Sequence, residues 1–360
     1  MTLQLVIDIS LLALVVVTAV AVVRLRNLFA ATIVLGIYSL LMAVTWVNMN
    51  AMDVAFTEAA VGAGISSILL IAALLHTGSK EKSAADTPRA RVNWEALLTV
   101  LLTGAALIYG TLDMHGVGDP QAPVQTGVAK HYVDNGYDET HSPNMVTSVL
   151  ASYRGFDTMF ETAVIFTAGL GMILLLRKPD TATLPGPANA ERFGLDPPNS
   201  DTHQSSRTTR AKAPPPLGAD PQPMSEQVVL RRVSTLLMPF IVVFGIYVIT
   251  HGEIGAGGGF QGGVIVASAF ILYALVFGLP KAQAHVPRSL SDALGAIGVL
   301  IYAGVGVVCM LRGHEFLGYN ALGSDAPHAQ ALGMTLVELG VGVTVAAVMI
   351  TIFSEIAEEA

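Results

Sequence analysis

Residues 251–274 read HGEIGAGGGFQGGVIVASAFILYA. A glycine-dense loop with a histidine and a glutamate at its start runs directly into a long apolar segment. Gly257, Gly258, Gly259, Phe260, Gln261 and Gly262 satisfy G-x-G-x-x-G, and Gly263 extends the run. A dinucleotide site needs a preceding strand, a soluble βαβ unit and an acidic residue about 20 positions on. None of that context is present, since an apolar stretch precedes the loop and another follows it. The run has no GK[ST] either, so a P-loop is excluded. Two readings stay open: tight helix-hairpin packing, for which glycine permits close backbone approach, or a loop that re-enters a bundle and offers backbone groups to water or ions.

The rest of the chain sets the context. It has 360 residues, is 52% hydrophobic and only 13% charged, against about 25% charged in soluble domains. Its mean hydropathy is +0.60. A spanning helix needs about 20 mostly apolar residues. Nine stretches qualify, at roughly 3–23, 28–48, 54–76, 94–112, 157–177, 233–250, 260–279, 289–311 and 332–353. The expected fold is an all-α, multi-pass membrane protein. The single cysteine, Cys309, cannot close an intrachain disulfide.

Of the 19 basic residues, 16 follow the first, third, fifth and seventh spans. Lys130, Arg154 and Arg312 are the exceptions. Short positive loops stay cytoplasmic, so the N-terminus is expected outside and the C-terminus in the cytoplasm. Ten of the 18 prolines lie between Pro179 and Pro223. Such a segment buries no core and reads as an extended cytoplasmic linker. It divides the chain into two modules of five and four helices. The outer loop at 113–143 carries His115, Asp119, His131, Asp134, Asp138, Glu139 and His141. It reads as a solvated acidic loop with no metal site, since neither cysteine nor a tight His-x-His pattern is present.

Acids at membrane depth carry the functional signal, because a carboxylate there is costly and faces a cavity or a partner. Glu58 sits about one turn inside the third span, with Gly62, Gly64, Ser66 and Ser67 after it. Glu161 follows Arg154, Asp157 and Thr158 near one helical face. An arginine beside two acids would hold one of them ionised. Glu338 lies among small residues in the last span. His251 can titrate near neutral pH. Asp8, His76 and Asp292 read as interfacial. The candidate proton or ion path is therefore Glu58, Glu161, His251, Glu338, Asp157 and Arg154, the last two reading equally as a structural ion pair at a helix mouth.

Three stretches resemble one family, the Mrp-type antiporters. TEAAVGAGISSILLIAAL resembles the MbhD-type domain near the C-terminus of the large MrpA protein. NMVTSVLASYRGFDTMFETAV is similar to the following MbhE-type domain, with its RGFDT stretch and later glutamate. HGEIGAGGGFQGGVIVASAFIL resembles the MrpB (MnhB) signature. The resemblance implies an MbhD-like domain at 1–78, an MbhE-like domain at 92–178, the linker at 179–226 and an MnhB-like domain at 227–360. Glu58 and Glu161 then match acids of the first two motifs. His251 and Gly257 to Gly263 match the MnhB run.

The implied function is that of one component of a multisubunit Na⁺/H⁺ antiporter in a bacterial inner membrane. Other antiporter subunits, membrane lipid, Na⁺ and protons are its expected partners. The chain lacks the large N-terminal region of MrpA, and no lysine lies at membrane depth. Neither an enzyme, a resident cofactor nor a nucleic-acid partner is expected. Two alternatives stay open: an ion-translocating component of a redox-driven relative such as a membrane-bound hydrogenase, and a structural spacer with no ion path.

Overall fold

The computed structural model describes residues 3–77, 94–116, 118–177 and 228–358. The proposed linker at 179–226 therefore lies outside the described residues. Among those residues the chain is helical, with no strand. Nine helical segments among the described residues are long and apolar enough to cross a membrane.

The first half begins with α1 (Leu3–Arg24) and α2 (Leu28–Asn48). Asn27 starts α2, its side chain accepting the N–H groups of Phe29 and Ala30, the usual way to satisfy free amides at a helix start. The third span is composite: α3 (Met52–Glu58), a π-helical turn (Ala59–Ile65) and α4 (Ser66–Thr77). The fourth is α5 (Trp94–Thr111), none of whose residues is buried.

The loop at 113–143 is not irregular throughout. It forms a short turn, α6 (Pro123–Thr126), and an amphipathic helix, α7 (Val128–Thr140). Lys130 pairs with Asp134 and Asn135 bonds His131, both one helical turn apart. These local pairs let a polar sequence hold a helix. The chain continues through α8 (Met145–Thr147), a second π-helical turn (Ser148–Tyr153) and α9 (Gly155–Leu176).

The second half holds α10 (Val228–His251), α11 (Gly259–Phe277), a short α12 (Leu279–His285), α13 (Arg288–Leu311), a 3₁₀ turn (Tyr319–Leu322) and α14 (Ala326–Glu358). The 33-residue α14 is the central element, packed against α13, α11 and α9. Small residues allow this. A Cβ on Gly263 would lie 2.7 Å from the Gly342 carbonyl oxygen, and one on Gly262 2.6 Å from that of Gly245. In a bilayer, where apolar side chains gain little by leaving lipid, close packing of this kind is what joins helices.

The two halves are not packed independently. One core cluster contains Ile65 and Ala151 from the first half with Val264, Tyr302, Tyr319 and Met334 from the second. The α9 helix is fastened to the second half at both ends. At one end the Tyr302 hydroxyl donates to the Gly155 carbonyl (2.8 Å) and the Tyr319 hydroxyl to that of Ala151 (2.6 Å). At the other, Arg177 bonds Asp292 (2.7 Å) and Glu355 (2.8 Å). The expectation of two separate modules came from the proline-rich segment, and composition is blind to these long-range bonds. Asp292, read as merely interfacial, is one of the fasteners. These two carboxylates, Asp292 first, raise the pKa of Arg177.

Candidate functional site

Three carboxylates from three separate stretches of sequence meet around one cavity of about 270 Å³. Asp53 comes from the first turn of α3, Glu161 from α9 and Glu338 from α14. Thr57, Thr147, Thr158, Gly257, Gly258, Phe260 and Gln261 add to the wall.

The glycine run builds one side of it. Gly258 has φ +131°, a backbone conformation that side chains with a Cβ rarely adopt. That turn aims the N–H of Gly259, the first residue of α11, at the Glu338 carboxylate, which accepts it. Glu338 therefore sits at the positive end of a helix dipole, a place that favours an anion. Gly259 also has no room for a side chain, since a Cβ there would overlap the Glu338 carbonyl oxygen. The two readings of the run thus divide along it. Gly257 and Gly258 face the cavity with Phe260 and Gln261, while Gly262 and Gly263 serve helix packing.

Asp53 ties the cavity to the loop. Its Oδ1 accepts the N–H of Gly257 (3.2 Å) and the Asn144 amide (3.4 Å). Asn144 is the centre of a clamp. Its Nδ2 donates to the carbonyls of Gly252 and Gly255, both at 2.9 Å, and its Oδ1 accepts from Val146 N–H. Thr147 donates to Gly252 O and Ser142 to Glu253 O. The stretch 142–147 thus holds the loop at 252–257. Within that loop, burial raises the pKa of Glu253, and a hydrogen bond with Thr335 opposes the rise.

The sequence candidates separate. Glu161 and Glu338 line the cavity together. Glu58 does not. Its carboxylate lies over Gly62 beside Ser39 of α2, at the entry to the π-helical turn, and such turns occur often at functional sites. Arg154 pairs with Asp157 (Nε to Oδ2, 2.6 Å) with both side chains more than half exposed. The arginine thus does not engage Glu161, because its partner three residues on lies nearer on the helix. His251 stacks on Tyr247, with ring centres 4.9 Å apart, in an apolar groove shared with Phe56 and Phe244. It lines this groove against α2 and α3 and is not part of the carboxylate cavity wall.

Asp53 and Asn144 were not among the sequence candidates. Asp53 stands at the N-terminal edge of the third span, where an acid is unremarkable, and Gly257 lies 204 residues away.

Comparison with known proteins agrees with this architecture. Residues 229–351 match the model of a domain related to the MnhB component of Na⁺/H⁺ antiporters, residues 13–79 the MbhD model and residues 101–188 the MbhE model, both of MBH. A putative antiporter subunit mnhB2 of Staphylococcus epidermidis is 34% identical over 132 residues, covering 36% of this chain and 93% of that protein. The chain belongs to the MnhB family. It carries the MnhB domain behind MbhD and MbhE domains. A probable K⁺/H⁺ antiporter A/B protein of Rhizobium meliloti is 27% identical over 310 residues, 83% of this chain and 28% of that protein. The solved Mrp complex of Dietzia sp. DQ12-45-1b contains a chain of the same fold, with TM-score 0.70, 23% identity and coverage of 96% of this chain and 34% of that one. This MnhB-containing chain spans between about a fifth and a third of the length of the larger proteins it matches. It is a multi-pass bacterial membrane protein.

Proposed function

We propose that this chain is a membrane component of a multisubunit monovalent cation/proton antiporter, and that the cavity of Asp53, Glu161 and Glu338 is a station on its ion or proton path. The observation that carries the reading is the convergence of those three carboxylates on one cavity. Close acids resist simultaneous ionisation, so a cluster of three exchanges a proton or a cation more readily than a lone acid does. Such acids in a membrane protein mark ion or proton routes.

The need for partner subunits has its own support. Glu161 is exposed on a face of α9 whose neighbours Phe156, Phe160 and Val164 are also exposed, at 51%, 62% and 66%. A carboxylate on an apolar, lipid-level face calls for a polar or protein neighbour. On this reading a larger protein of the complex covers that face and receives the ion. The N-terminus lies outside and the C-terminus in the cytoplasm, with the cavity toward the outer surface and the Arg177 cluster toward the inner one. The division into domains at 1–78, 92–178, 179–226 and 227–360 belongs to the same reading.

The test uses the complete complex in everted membrane vesicles, with Na⁺ and K⁺ offered separately and proton movement followed by a pH-sensitive dye. Glu161→Gln and Glu338→Gln are expected to remove cation-driven proton exchange while the complex still assembles. Exchange at the wild-type rate in both variants would sink the proposal and leave a structural spacer.

A further inference from the structure

At the end of the bundle away from the carboxylate cavity, the start of α10 and the end of α11 enclose a half-open cleft of about 320 Å³, lined by Val228, Arg231, Arg232, Thr235 and Phe277. That volume falls in the range of small-molecule sites, about 300–1,000 Å³. Thr235 follows Arg231 by four residues and Arg232 by three, so all three side chains share one side of the helix. The Arg231 guanidinium lies 5.5 Å from the centre of the Phe277 ring, a cation–π contact that holds it over the cleft. Among the described residues neither arginine has an ion-pair partner, whereas Arg154, Arg177 and Arg288 each have one.

We propose that this cleft binds the phosphodiester headgroup of an anionic phospholipid. Two guanidiniums offer planar, paired donors suited to phosphate oxygens, while the Thr235 hydroxyl, which donates to the Arg231 carbonyl (2.7 Å), forms part of the wall. The surroundings select a lipid over a soluble phosphate. Val228, Val229, Val233, Leu236 and Leu237 leave the same part of α10 exposed and apolar, at 67%, 77%, 47%, 65% and 46%. A headgroup in the cleft would thus have its acyl chains laid along an apolar helix surface. Basic clefts between helices at a membrane surface bind anionic headgroups by this combination. The carboxylate cavity and its assignment play no part in the argument.

The test takes the full complex, delipidated in detergent and placed in nanodiscs of phosphatidylcholine containing a minor fraction of phosphatidylglycerol. Retained lipid is then counted by native mass spectrometry. The wild type is expected to enrich phosphatidylglycerol over phosphatidylcholine. Each basic residue at an anionic surface is worth roughly 5-fold in binding, so Arg231→Gln with Arg232→Gln should lower retention roughly 25-fold. The double lysine variant, which keeps the charge but loses the planar fork, should fall between the two. A photoactivatable phosphatidylglycerol should label the peptide around residues 228–235, a readout that needs no variant. Equal retention of the two lipids by the wild type would overturn the proposal, as would label elsewhere. Displacement of the lipid by inorganic phosphate at comparable concentration would assign the cleft to a soluble anion instead.

Discussion

The Glu338 carboxylate accepts the N–H of Gly259, so a glutamate of the last span caps the helix that opens with the glycine run. One contact joins the acid to the loop, and two roles can be separated at it. Glu338→Gln keeps an acceptor and removes the titratable group, so it should assemble normally and lose exchange. Glu338→Ala leaves the Gly259 N–H without its carboxylate, at a cost of about 1–3 kcal/mol, and should lower the thermal midpoint as well. Size-exclusion thermal scans of the complex beside vesicle assays would read the two effects. Wild-type exchange in Glu338→Gln beside an unstable Glu338→Ala would show that only the cap matters.

The glycine run tests packing. Gly263→Ala places a Cβ 2.7 Å from the Gly342 carbonyl oxygen, against backbone that cannot swing aside. Overpacking of this kind costs about 1–3 kcal/mol, and the variant should assemble poorly. Gly171→Ala, on α9 with nothing within 4 Å of the added atom, should be neutral or slightly stabilising. Blue-native gels of the two variants would check the contrast. Normal assembly of Gly263→Ala would mean that α11 and α14 are farther apart than described.

Much of this was legible in advance and some was not, for identifiable reasons. Hydropathy over about 20 residues is a local property, so all nine spans could be read. Glu161 and Glu338 stood out because an acid within an apolar run breaks the pattern. Asp53 sits at a span edge, where acids are common, and Asn144 lies in a polar loop that offers no contrast. Their partners are 204 and 111 residues distant, beyond anything periodicity encodes. The direction of His251 was equally hidden, because a helix end can point its last side chain to either side. The joining of the two halves rests on Arg177 with Asp292 and Glu355, whose separations of 115 and 178 residues leave no local trace.

That joint makes a third prediction. Glu355 is 2% exposed, and Arg177 is its ion-pair partner. Removing one member of a buried pair leaves the other charge stranded, at a cost of about 3 kcal/mol or more. Arg177→Ala should therefore release α9 from the second half, seen as faster proteolysis and a lower thermal midpoint. Arg177→Lys should recover only part of the loss, because a single ammonium cannot span both carboxylates as a guanidinium does. Wild-type stability in the alanine variant would count against the fastening.

Glu253 supplies a pH dependence. Burial raises its pKa above the ordinary 4.5, so the folded chain holds this proton more tightly than the unfolded one. Where the folded state binds more protons, stability falls as pH rises. The loss should start near pH 4.5 and be complete once pH passes the raised value. Glu253→Gln should flatten that part of the midpoint-against-pH curve, and an identical curve in the variant would assign the slope to other groups.

The clamp at Asn144 distinguishes donors from shape. The wild-type amide donates to the Gly252 and Gly255 carbonyls and caps α8 through Val146. Asn144→Ala loses these three bonds and the one to Asp53, and losses of a cap and of buried donors together amount to about 2–3 kcal/mol. Asn144→Asp keeps the size and the cap but turns an acceptor toward two carbonyls and sets a charge beside Asp53. A loop held by shape alone would tolerate aspartate better than alanine. A loop held by donated hydrogen bonds would suffer at least as much from aspartate, and that is the expected order. Amide hydrogen exchange reads it directly. The N–H groups of Gly257 and Gly259, bonded to Asp53 and Glu338, should exchange faster in both variants and fastest in Asn144→Asp. Protection would then be lost at the cavity wall even though neither carboxylate had been changed.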